Sequence, residues 1–124
     1  MATLLLETGG SPQSVVNAAT STTLPAGAVV PFAISPARGG GPTTVTFEAV
    51  GASAVPTTVT AQLQVSEDGG TTFQNYGSAL NLVAASVGTV AAVANMISGV
   101  IYKLTLTTLT IGSAVSVTVY AAVS

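Results

Sequence analysis

Four stretches of this chain alternate apolar and polar residues with a period of two. Thr43 to Val50 places Val45, Phe47 and Ala49 on one side and Thr44, Thr46 and Glu48 on the other. Thr58 to Ser66 sets Val59, Ala61, Leu63 and Val65 against Thr60, Gln62 and Gln64. Val100 to Leu109 sets Tyr102, Leu104 and Leu106 against Lys103, Thr105 and Thr107. Ala114 to Ala122 predicts Val115, Val117 and Val119 facing inward. Successive side chains of a strand point to opposite faces, whereas a helix needs apolar residues three and four apart. No amphipathic helix of useful length is found, so the chain reads as all-β.

Turn residues punctuate these runs at short intervals, as in a sandwich or barrel. Thr3 to Thr8 is a short strand closed by Gly9-Gly10-Ser11-Pro12. Ser14 to Ala19 follows, then a turn at Leu24-Pro25-Ala26-Gly27 and an extended Ala28 to Ser35. Pro31 marks that segment as an edge or a bulge, because proline cannot donate to a ladder. Pro36 to Pro42 is a glycine-rich loop. Thr71 to Tyr76 returns from a turn at Glu67 to Gly70, and Leu80 to Ala84 is expected to pair with Thr89 to Ala94. The expectation is an antiparallel β-sandwich with jelly-roll-like or Ig-like connections and eight or nine short strands. Residues 24–124 form the sandwich. Residues 1–23 form an N-terminal arm or first strands that contact a neighbouring subunit.

Charge narrows the function classes. Of 124 residues only Glu7, Arg38, Glu48, Glu67, Asp68 and Lys103 are charged, which is 5%, against about 25% in a typical domain. The apolar share of 48% is ordinary, so threonine, serine, alanine and glycine have replaced the charges. Such faces pack against another protein without stranding a buried charge. Two basic residues make no phosphate-binding patch, which argues against nucleic acid and anionic membranes. Without cysteine there is no disulfide framework, and without histidine the usual general base and commonest metal ligand are missing. Glu48 and Glu67 are the carboxylates to weigh as a glycosidase pair, but both stand where a solvent-facing charge would stand anyway. The reading is that the chain is no enzyme and carries no cofactor. Residues 79–102 are uncharged over about the length of a membrane-spanning helix. Asn81, Ser86, Gly88, Asn95 and Gly99 interrupt them, so they read as strands. Met1 to Glu7 lacks the basic start of a signal peptide, which predicts synthesis in a cytoplasm.

The sharpest local pattern is Ser66-Glu67-Asp68-Gly69-Gly70-Thr71-Thr72-Phe73. It resembles an Asp-box, a hairpin written Ser-x-Asp-x-Gly-x-Thr-Trp. Ser66, Asp68, Gly70 and Thr72 match, and Phe73 replaces the tryptophan. In sialidases and propellers that motif is a structural turn, so the resemblance implies a hairpin, not catalysis. A calcium site at Glu67 and Asp68 is disfavoured, because adjacent strand carboxylates diverge and calcium takes six or more oxygens.

The wider layout is Leu63 to Phe73, then Gly99-Val100-Ile101-Tyr102-Lys103-Leu104-Thr105-Leu106-Thr107, then Val115-Ser116-Val117-Thr118-Val119. It is similar to small β-sandwich proteins of tailed-phage virions, the capsid decoration (cement) and head-fibre types. That resemblance covers the C-terminal half. It implies a protein made in the host cytoplasm, located in the virion, and bound to the major capsid protein. It is expected to self-associate, with a trimer favoured. Arg38, Tyr102 and Tyr120 are the candidate interface residues. The alternative is a glycan- or cell-surface-binding module of a tail fibre or adhesin, with Tyr76, Tyr102 and Tyr120 as a stacking platform.

Overall fold

The computed structural model of the protein describes residues 3–7, 9–20, 29–35, 43–82 and 90–123. Ten strands fill them: β1 (Leu4–Leu6), β2 (Gln13–Ala19), β3 (Phe32–Ile34), β4 (Thr43–Gly51), β5 (Thr58–Ser66), β6 (Gln74–Asn75), β7 (Leu80–Asn81), β8 (Val90–Met96), β9 (Ile101–Thr110) and β10 (Val117–Val123). The expected all-β sandwich is observed, with slightly more strands than expected because β6 and β7 are two-residue pieces. Among the described residues no helix is long and apolar enough to cross a membrane.

One sheet runs β1-β3-β9-β5-β6, with β7 also on β5, and the other runs β2-β10-β4-β8. All pairings are antiparallel except β1 with β3. The order β2-β10-β4-β8 against β3-β9-β5-β6 is a jelly roll, two four-stranded sheets joined by Greek-key connections, with β1 added in parallel at one edge. The antiparallel pairs are nested: β2 with β10, β3 with β9, β4 with β8, and β5 with β6 innermost. Strands β1 and β2 therefore each stand at the edge of a sheet.

Alternation builds the core. Val45, Phe47 and Ala49 of β4 and Val117, Val119, Ala121 and Val123 of β10 are buried on one sheet. They face Val59, Ala61 and Leu63 of β5 and Tyr102, Leu104 and Leu106 of β9 on the other. Phe32 and Phe47 meet edge to face across the two sheets, with centroids 6.0 Å apart. Phe32 also stacks on Tyr102 at 5.8 Å. Burying such rings contributes more than their area alone.

Three expectations need correction. Val115 is not an inward strand residue. The chain turns at Ile111–Ala114, Ala114 donates to the Ile111 carbonyl at 2.9 Å, and Val115 is left 65% exposed. The 80s and 90s strands do not pair with each other: β7 adds to β5, whereas β8 adds to β4 in the other sheet. The return strand expected at Thr71 to Tyr76 shrinks to Gln74–Asn75, because the preceding residues are engaged in a side-chain-held turn. The expected turn at 24–27 and loop at 36–42 lie outside the described residues.

Candidate functional site

Strand β5 carries two dissimilar surfaces, one at each end. Ser66, at its end, begins the Asp-box-like turn. The Ser66 hydroxyl donates to Asp68 Oδ1 at 2.6 Å and accepts the Gly70 amide at 2.9 Å. The Thr71 and Thr72 amides donate to the same Oδ1 at 3.1 and 2.9 Å. The Thr72 hydroxyl donates to Oδ2 at 2.5 Å. Gly69 and Gly70 have φ of 77° and 98°, which only glycine adopts cheaply twice in succession. These donors hold the Asp68 carboxyl well below the usual carboxylate range, the Ser66 and Thr72 hydroxyls foremost. With its oxygens so occupied, Asp68 serves as the internal tie of the turn.

Phe73, the last residue of that pattern, lies under the Lys103 ammonium, 4.3 Å from the ring centroid. Ladder register brings them together, since Gln64 faces Lys103 on β9 while Val65 faces Gln74 on β6. Beside them is a groove of about 290 Å³ lined by Thr3, Val29, Pro31, Gly69, Gly70, Phe73, Ile101 and Lys103. No sequence signal links Lys103 to Phe73; only the pairing of β9 with β5 does.

The other end of β5 is apolar. A cleft of about 310 Å³ is lined by Glu48, Ala49, Val50, Gly51, Ala54, Val55 and Pro56. Val50 and Val55 are exposed, and so is Val115. Val115 is tied to this loop by its amide on the Ala52 carbonyl at 3.0 Å, while Ala52 donates to Ser116 at 2.8 Å. Tyr120 faces Glu48 in the ladder, diagonal to Val50. Four of the six large apolar side chains exposed among the described residues thus gather on this corner and the adjoining sheet face. The sequence hid this, because a β-branched residue in a turn reads like one in a strand.

The candidate interface residues part company. Tyr120 is exposed, Arg38 lies outside the described residues, and Tyr102 is fully buried. Tyr102 therefore offers no surface to a partner: its ring is wedged against Phe32 and Tyr76, and its hydroxyl accepts the Ile97 amide at 3.1 Å. Burial pushes its phenol above the ordinary value, partly offset by that bond. The Tyr76 hydroxyl donates to the Asn95 carbonyl at 2.6 Å. The tyrosines form no stacking platform, since Tyr76 and Tyr102 pack on each other at 5.7 Å and Tyr120 belongs to the opposite sheet. Glu48 and Glu67 line separate clefts and are not brought together. Among the described residues no three acidic, histidine or cysteine side chains gather to hold a metal ion.

No protein-family model matches the chain, and no curated protein or solved structure matches it.

Proposed function

We propose that this chain is a non-enzymatic structural protein of a tailed-phage virion, decorating the outside of the capsid and stabilising it through low-charge interfaces with itself and the major capsid protein. The observation that carries the reading is the apolar corner of Val50, Val55 and Val115, beside Tyr120 and with Glu48 its one charge among the described residues. Exposed apolar side chains gathered in one place mark interaction surfaces, whereas scattered ones do not. A chain with 5% charged residues also lacks the surface an isolated monomer uses to stay dispersed. The jelly roll is compatible with this role but does not select it, since the same architecture serves capsid and lectin domains.

The test is solution mass by light scattering over a concentration series at low and high salt. An apolar contact predicts a salt-resistant oligomer, a trimer in the preferred geometry, that V115D and V55D convert to monomer while the fold survives. Co-sedimentation with the capsid of the encoding phage should then be equally insensitive to salt. A wild-type chain that stays monomeric at high concentration and does not sediment with capsids would sink the proposal.

A further inference from the structure

We propose that the groove beside the Asp68 turn binds one carboxylate-bearing sugar unit, a uronic acid, with Lys103 as its charge partner. The groove lies at the opposite end of β5 from the apolar corner, so the assignment stands independently of the capsid reading.

Charge is the first argument. In a chain with two basic residues, Lys103 is the only one among the described residues, and it lines this groove. Among the described residues no carboxylate pairs with it, and its ammonium rests on the Phe73 ring. A ring face attracts the ammonium but leaves its N–H donors free for an anion. One compact positive charge matches one negative charge. A phosphate carries nearly two and is usually met by arginine forks or several donors, whereas among the described residues Lys103 is the one basic side chain lining this groove.

Shape is the second. A groove of about 290 Å³ sits at the lower bound for small-ligand sites, and suits a single saccharide ring with its substituents. Val29, Pro31 and Ile101 give an apolar wall for the C–H face of a pyranose, and Thr3 adds a hydroxyl-bearing residue at the rim. Gly69 and Gly70 leave backbone open to close approach: a Cβ at Gly69 would meet nothing within 4 Å. The turn is stiffened by the bonds to Asp68 before any ligand arrives, so little ordering is left to oppose binding.

The experiment is a two-dimensional amide NMR titration of the full chain with trigalacturonic acid, using neutral maltotriose as control. The expected result is a saturable shift of the amides of Thr3, Val29, Gly69, Gly70, Phe73, Ile101 and Lys103, absent with maltotriose and weaker at high salt. K103M should weaken binding about tenfold, the loss of one charge-assisted contact, and K103R should retain it. The proposal is overturned if trigalacturonic acid causes no shifts at about 10 mM, weaker than any specific contact. Shifts that map elsewhere, or that maltotriose reproduces, overturn it too. A groove that takes acetyl-Ala-Ala as free acid at least as tightly, and rejects its amide, is a peptide C-terminus site and overturns the sugar assignment. The wild-type map decides the matter even if K103M does not fold.

Discussion

The two ends of β5 solve the same shortage in opposite ways. At Ser66 the chain spends a scarce carboxylate inside a turn, where hydroxyls and amides occupy it. At Thr58 the neighbouring loop holds itself by backbone bonds to residues 115–116 and leaves valines facing outward. The carboxylate at the first end is satisfied within its own turn. The second exposes apolar area that a partner would cover, at about 25 cal/mol per Å² before association costs. Low charge therefore does not mean a uniform surface: it concentrates order at one pole and stickiness at the other.

The sharpest way to break this contrast is at Gly51. A Cβ there would lie 2.1 Å from the Ala54 carbonyl oxygen and 2.8 Å from Pro56, so Gly51→Ala must push the loop aside. Overpacking of this kind costs about 1–3 kcal/mol, and chemical denaturation should show it together with loss of self-association. Next comes Asp68→Asn, which puts an amide where the Thr72 hydroxyl and the 71–72 amides donate. Thermal unfolding at neutral pH should show a clear loss of stability. The sign with pH follows from the lowered folded-state pKa. Asp68 contributes fully above the unfolded value of about 3.9, and the contribution is lost as pH falls through the lower folded value. The gap between wild type and Asp68→Asn should be constant from neutral pH to about pH 5 and should close in stronger acid. A gap that is unchanged in strong acid would remove the carboxylate from its role as tie. The smallest effect is expected for Val115→Thr, within about 0.5 kcal/mol on the isolated chain. A larger loss in denaturant melts would place Val115 in the core and not on an interface.

What could be read in the sequence was whatever depends on neighbours along the chain. The alternation of β4, β5 and β9 gave correct inward faces because a one-residue slip would expose a whole set. The Ser66 to Phe73 turn was legible because its partners lie within four residues. Strand β2 resisted, since Val15 and Val16 are both buried. Register shifts against β10 and a φ of 43° at Ala18 break its period. The partnership of β8 with β4, the burial of Tyr102 and the meeting of Lys103 with Phe73 depend on ladder register between distant segments, which no local pattern encodes.

The nesting of the strands also bears on how the chain reaches its native state. Val65 and Gln74 have only the Asp68 turn between them, whereas Gln13 meets Ala121 across nearly the whole chain. Closing a loop costs more entropy as it lengthens, and non-local pairing slows folding. The turn is thus the cheapest first contact, and each outer pair can zip onto a hairpin already made. On that order of events Asp68→Asn should lose its stability in the refolding arm of a chevron, and Gly51→Ala in the unfolding arm. If Asp68→Asn instead leaves refolding untouched, the roll starts elsewhere. If refolding does slow, a single carboxylate at the innermost bend sets not only how firmly the roll is held but when it begins to close.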